Sequence, residues 1–144
     1  MELADLAREF SKTTIILNHI GGPLGIGPYA GTRETVIQEW KKGMSELSNC
    51  LNVFVKLGGL GMDICGFDWH ERTVPASSAD LAEVMAPYYL WCIEQFGVNR
   101  CMFESNFPVD KQAYSYTILW NAFKKIVSNL SYHDKCALFH DTAV

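Results

Sequence analysis

The residues of this chain best suited to chemistry fall in three short stretches. "ILNHIGG" sets His19 beside two glycines, and "RCMFESNFPVDK", Arg100 to Lys111, carries Glu104, Asn106 and Asp110. "FDWHER" gathers Asp68, His70, Glu71 and Arg72 between Phe67 and Trp69. An imidazole changes charge near neutral pH and a carboxylate can carry a proton. Acid–base work on a small polarised group is the chemistry these types suit.

Each stretch also has a plainer reading. His19 could be satisfied by a carbonyl at a strand end, but it faces a loop-rich rim, and the glycines after it let a ligand approach closely. Asn18 points to the opposite side and reads as structural. "FDWHER" is either solvated surface charge or a lid drawn down by Phe67 and Trp69, with His70 able to reach a ligand. Glu104 lies in an apolar run and needs a lysine, an arginine or a hydrogen-bond donor as partner. Alternation puts Asn106 on the same side as Glu104, while Asp110, after Pro108, occupies a turn where an acid is ordinary. Lys56 precedes "GGLG", which lacks the spacing of a phosphate loop; glycines allowing close packing are the better account. His133 and His140 read as exposed or capping residues.

The elements that must position these groups follow from apolar periodicity. Leu3, Leu6, Ala7 and Phe10 recur at helical spacing, and "TTIILNHI", Thr13 to Ile20, is a β-branched run expected to form a strand closed by His19. Gly21 to Gly31 is too rich in glycine and proline for either regular form. Thr32 is expected to cap a helix with Val36, Ile37, Trp40, Met44 and Leu47 on its apolar face. "NVFVKLGGL" is the second strand, and Ser77 or Ser78 begins a helix bent or reset by Pro87 and ended by Gly97. "RCMFES" is the third strand, "NFPVDKQAYSY" a third long loop, and the rest is helical. Strand, loop and helix thus repeat three times. The class is α/β, with parallel strands alternating with helices and long loops at the strand ends where such sheets carry their chemistry.

Composition narrows the partners. The chain has 144 residues, 49% apolar and 12% aromatic, enough for one core, so a single domain over 1–144 is expected. A net charge of −4 without a basic block argues against nucleic acid. No apolar stretch approaches the roughly 20 residues needed to cross a bilayer, so no membrane association is expected. Five cysteines without a CxxC pair read as reduced thiols, which places the protein in the cytoplasm.

At "ILNHIGGPLG", "VFVKLGGLGM", "GFDWHER…PASS" and "FGVNRCMFESNFPVDK", in that order, the chain resembles the C-terminal portion of the amidohydrolase-related family, which includes 2-pyrone-4,6-dicarboxylate lactonase-like enzymes. The resemblance implies the C-terminal part of a TIM (β/α)8 barrel, a fold of ~250 residues, with the N-terminal part absent. It implies a hydrolase of a small lactone, ester or carboxylated compound. The family's "H.G" histidine matches His19, and its strand-end aspartate matches Asn106. Catalysis is then expected from His19 with Asp110 or His70 handling protons, and substrate contacts from Asn106, Arg33 and Trp69. Zinc or manganese is what the family would suggest. No HxH pair occurs, however, and an amide is a poorer ligand than a carboxylate, so the ligand set is incomplete and no metal-binding residue is assigned. Exposed barrel edges would lead to homo-oligomers, and the alternative to an enzyme is an inactive partial barrel serving as a fragment or interaction module.

Overall fold

The computed structural model describes residues 2–144. Helix α1 (Glu2–Glu9) leads to strand β1 (Ile15–Leu17), followed by helix α2 (Arg33–Ser48), strand β2 (Val53–Leu57), helix α3 (Ser78–Phe96), strand β3 (Cys101–Phe103) and helices α4 (Tyr116–Ile126) and α5 (Tyr132–Phe139). The three strands form one parallel sheet in the order β1-β2-β3, with Leu17 opposite Val55 and Leu57 opposite Phe103. Their C-terminal tips therefore lie at one end.

Alternation separates the two faces. Val53, Val55 and Leu57 are fully buried. Phe103 stacks on Phe123 of α4 with ring centroids 4.4 Å apart, and Tyr89 of α3 meets Phe123 at 5.8 Å. Burying apolar surface of this kind stabilises by about 25 cal/mol per Å² and sets the sheet against its helices. The opposite face carries Ile16, Phe54, Lys56 and Met102, and Ile16 is 50% exposed although it lies mid-strand.

Arg100 ties the other end of the sheet together. Its guanidinium donates to the carbonyls of Phe96, Cys50 and Ser48 at 3.0 to 3.1 Å, adding a donor at two helix ends and at the turn before β2. Ser77 caps α3 by accepting from Ala79 and Asp80, and Asp80 returns a bond to the Ser77 N–H.

Several local expectations change. The first strand stops at Leu17, and Asn18–Gly21 form a tight turn in which His19 (φ 55°) and Ile20 (φ 49°) are left-handed. The turn buries Ile20 completely and offers its carbonyl to the Trp40 indole at 2.7 Å, which an extended continuation would not do. Thr32 occupies the cap position of α2 but spends its hydroxyl on the Tyr29 carbonyl. Helix α3 runs on through Pro87 without a break. The five cysteines are all free. Among the described residues, no helix is long and apolar enough to cross a membrane.

Candidate functional site

The segments after the three strand tips converge. Beyond β1, one carboxylate oxygen, Glu104 Oε1, accepts the backbone N–H of His19 at 3.1 Å and meets its ring Nδ1 at 2.5 Å. An ionised carboxylate only accepts, so in the neutral imidazole Nδ1 carries the hydrogen and Nε2 keeps its lone pair. The left-handed turn makes this double contact, since both donors of His19 face the same atom. Lys56, on the open sheet face, holds the other Glu104 oxygen at 3.6 Å. The Glu104 side chain is 15% exposed and that of His19 28%, so the pair sits at the border of solvent.

The "GGLG" run after β2 is the floor beneath these groups. A Cβ on Gly58 would overlap the Glu104 carbonyl and side chain, and one on Gly59 would fall 2.7 Å from His19 Cβ and Cγ. One on Gly61 would lie 2.5 Å from the Tyr114 hydroxyl and 2.7 Å from Asp110 Cγ. Only glycine lets the backbone pass this close.

Asp110 is wholly enclosed. Its Oδ2 accepts the Gly61 N–H at 3.2 Å and the Tyr114 hydroxyl at 2.9 Å, and its Oδ1 accepts the Asn106 amide at 2.7 Å. Burial pushes its pKa up, while the bonds from Tyr114, Asn106 and Gly61 and the nearby His19 pull against that without cancelling it. Tyr114 is raised too, mainly by burial, and stays a donor.

The candidates from sequence divide accordingly. His19, Asn106 and Asp110 lie along the same glycine floor. His70 faces Asp63 at 3.2 Å and borders a hollow of about 370 Å³ with Arg72, Lys111 and Tyr114, the last of which links it to Asp110. Trp69 is buried, donates its indole N–H to Leu60 and stacks on Phe67, which anchors the segment read as a lid. Arg33 spends its guanidinium on the carbonyls of Cys65 and Gly66 and lies over the Phe67 ring. Gly25 N–H donates to Ile64, and the Gly25 backbone packs on Cys65 and Gly66 without room for a Cβ, so the first two long loops are joined. His133 and His140 are exposed.

Sequence reasoning left Tyr114 unassigned and required a lysine, an arginine or a hydrogen-bond donor beside Glu104 without naming it; Lys56 and His19 fill that place. Tyr114 and Asn106 flank Asp110 at four-residue spacing, a signal that could have marked the cluster. Burial pushes the Cys65 thiol to about 11 and the Cys101 thiol to about 12, so neither of these two is a thiolate nucleophile near neutral pH. Among the described residues no three His, Cys, Asp or Glu side chains are grouped to hold a metal ion. Asp110 has both oxygens engaged inside the protein, and Glu104 sets one oxygen on His19 and the other 3.6 Å from Lys56.

An amidohydrolase family model matches residues 1–144. The uncharacterized protein y4mH of Sinorhizobium fredii is 41% identical over 142 residues, 99% of this chain and 41% of that protein. An amidohydrolase of Burkholderia multivorans, solved with HEPES and with zinc, superimposes with TM-scores of 0.81 and 0.79 at 24% and 25% identity, covering 98% of this chain and 46% of its own. A candidate 2-pyrone-4,6-dicarboxylic acid hydrolase of Pseudomonas putida has a TM-score of 0.59 at 20% identity, with 99% and 46% covered. The chain thus spans less than half the length of these relatives.

Proposed function

The chain belongs to the amidohydrolase family, and on that premise we propose that it hydrolyses a small lactone, ester or carboxylated compound with His19 as the acid–base group. The observation that carries this reading is the contact between His19 Nδ1 and Glu104, which leaves Nε2 available at a partly exposed edge. In the reaction, Nε2 takes a proton from water as the water oxygen bonds to the carbonyl carbon. The tetrahedral centre then collapses, the bond to the leaving oxygen breaks, and Nε2 returns the proton to it. Glu104 stabilises the imidazolium formed between the two steps. Asn106 contacts the substrate, and Asp110 acts through Asn106, having no exposed surface of its own.

The zinc held by the Burkholderia multivorans relative makes a divalent ion relevant. The residues described do not fit one, because no three His, Cys, Asp or Glu side chains among them are grouped to hold an ion, and a catalytic zinc takes about three protein ligands. No step is therefore assigned to a metal. We further propose that residues 1–144 form one domain, part of a (β/α) barrel, and that the free cysteines suit a reducing, cytoplasmic setting.

The test is a lactone and ester screen on the purified chain, with and without zinc or manganese. Turnover that is lost in His19→Ala supports the reading; turnover unchanged in that variant refutes it. A second reading, an inactive partial barrel that self-associates, is favoured by one observation, the half-exposed Ile16 on the open sheet face. Its signature is an inert protein whose sedimentation mass exceeds 16.2 kDa and falls in Ile16→Lys.

A further inference from the structure

Asn106 stands where the family resemblance expects a carboxylate, and its surroundings fix which end of its amide looks outward. Asp110 Oδ1 lies 2.7 Å from Asn106 Nδ2. The Gly61 N–H and the Tyr114 hydroxyl both occupy Oδ2, which leaves Oδ1 for Asn106; in the ionised carboxylate Oδ1 can only accept, so the group it meets donates. The amide NH2 therefore turns inward and the carbonyl oxygen turns away. Asn106 is half-buried, and its oxygen is not among the enclosed polar atoms that lack a partner. The left-handed backbone of Asn106 (φ 53°) and the bond from the Asp110 N–H to the Asn106 carbonyl at 3.1 Å hold the two residues in this register.

We propose that Asp110 is a positioning residue that turns the Asn106 carbonyl oxygen toward the ligand, making Asn106 a hydrogen-bond acceptor that selects compounds bearing a hydroxyl or N–H next to the reacting carbonyl. This rests on the hydrolase reading for the place where ligand binds, and deepens it. An aspartate at 106 would accept equally well, but would set a second carboxylate against Asp110; the amide supplies an acceptor outward and a donor inward at once.

The experiment follows the Asn106 side-chain NH2 in ¹H–¹⁵N spectra of the whole chain, assigned by its loss in Asn106→Ser. Its exchange with water should be at least about tenfold slower than that of exposed Asn129. Protection should vanish in Asp110→Asn and persist in Tyr114→Phe, which keeps the Asn106 bond. Titration with α-hydroxy-γ-butyrolactone should perturb Asn106 and bind about five- to tenfold more tightly than γ-butyrolactone, the worth of one hydrogen bond. An Asn106 amide that exchanges like Asn129, or two probes bound alike, overturns the proposal. Should Asp110→Asn fail to fold, the wild-type exchange rate and the probe pair still decide. Failure of the hydrolase reading looks different: the amide is protected, the hydroxylated probe binds better, and neither probe is hydrolysed.

Discussion

His19 and Glu104 meet through one oxygen atom, which takes both the backbone N–H of the histidine, at 3.1 Å, and its ring Nδ1, at 2.5 Å. Main chain and ring are thereby fixed by a single partner 85 residues away. Losing this carboxylate frees the ring and its tautomer together. In a protein with hydrolase activity, His19→Ala should lower kcat/KM by about 10²- to 10⁴-fold, the usual worth of a general base. Glu104→Gln should cost about 10- to 100-fold, the equivalent of one charge-assisted hydrogen bond. Steady-state assays of both variants check the order, and ¹⁵N shifts of the His19 ring should show mixed tautomers only in Glu104→Gln.

Two glycines with similar dihedrals should respond very differently to a methyl group. Gly59 (φ 78°) has His19 in the way of any Cβ, whereas Gly31 (φ 75°) has nothing within 4 Å. Gly31→Ala should cost only the left-handed penalty, about 1–2 kcal/mol. Gly59→Ala adds displacement of the His19 ring and should exceed it by roughly 1–3 kcal/mol. Urea denaturation of the pair reads the difference, and equal losses would mean that the floor yields.

Asp110 gives a stability signature in pH. Its folded-state pKa lies above the unfolded value because burial outweighs its hydrogen bonds. Its contribution is thus fully present below the unfolded pKa and is lost as pH rises through the folded one. Asp110→Asn has no such titration. The stability of the wild type relative to this variant should therefore increase as pH falls from about 7 toward about 4. Urea midpoints across that range test it; a gap independent of pH would show the hydrogen bonds fully offsetting burial.

Arg100 spreads its donors over carbonyls from two helix ends and a turn. Arg100→Ala should cost about 2–4 kcal/mol, more than one hydrogen bond to a charged group. Arg100→Lys should recover less than half, since a compact ammonium cannot span the same acceptors. Thermal unfolding of the two variants distinguishes this from loss of the aliphatic stem alone, which lysine would replace.

The repeating strand, loop and helix were readable because each carries its own period, and the parallel pairing follows from that alternation, whereas the order β1-β2-β3 is set by how the strands pack. A start at Ser77 or Ser78 and an end at Gly97 were readable for α3 for the same local reason, and the cap proves to be Ser77. The early end of β1 was not, because it depends on Trp40 reaching back to the Ile20 carbonyl. At the site, His19 was marked by its glycines, and Glu104 by the cost of leaving it unpaired. That these two solve each other's problem is a matter of sheet geometry. The enclosure of Asp110 likewise needs Gly61 from a distant loop, and a turn sequence alone makes such a residue look ordinary. In "FDWHER" the aromatics did draw the segment inward, and in doing so they fastened it down.

The seam between Gly25 and Cys65–Gly66, stitched by the Arg33 guanidinium, has a mechanical consequence. Displacing either loop would break contacts that the other one makes, so the two segments shift as a unit or not at all.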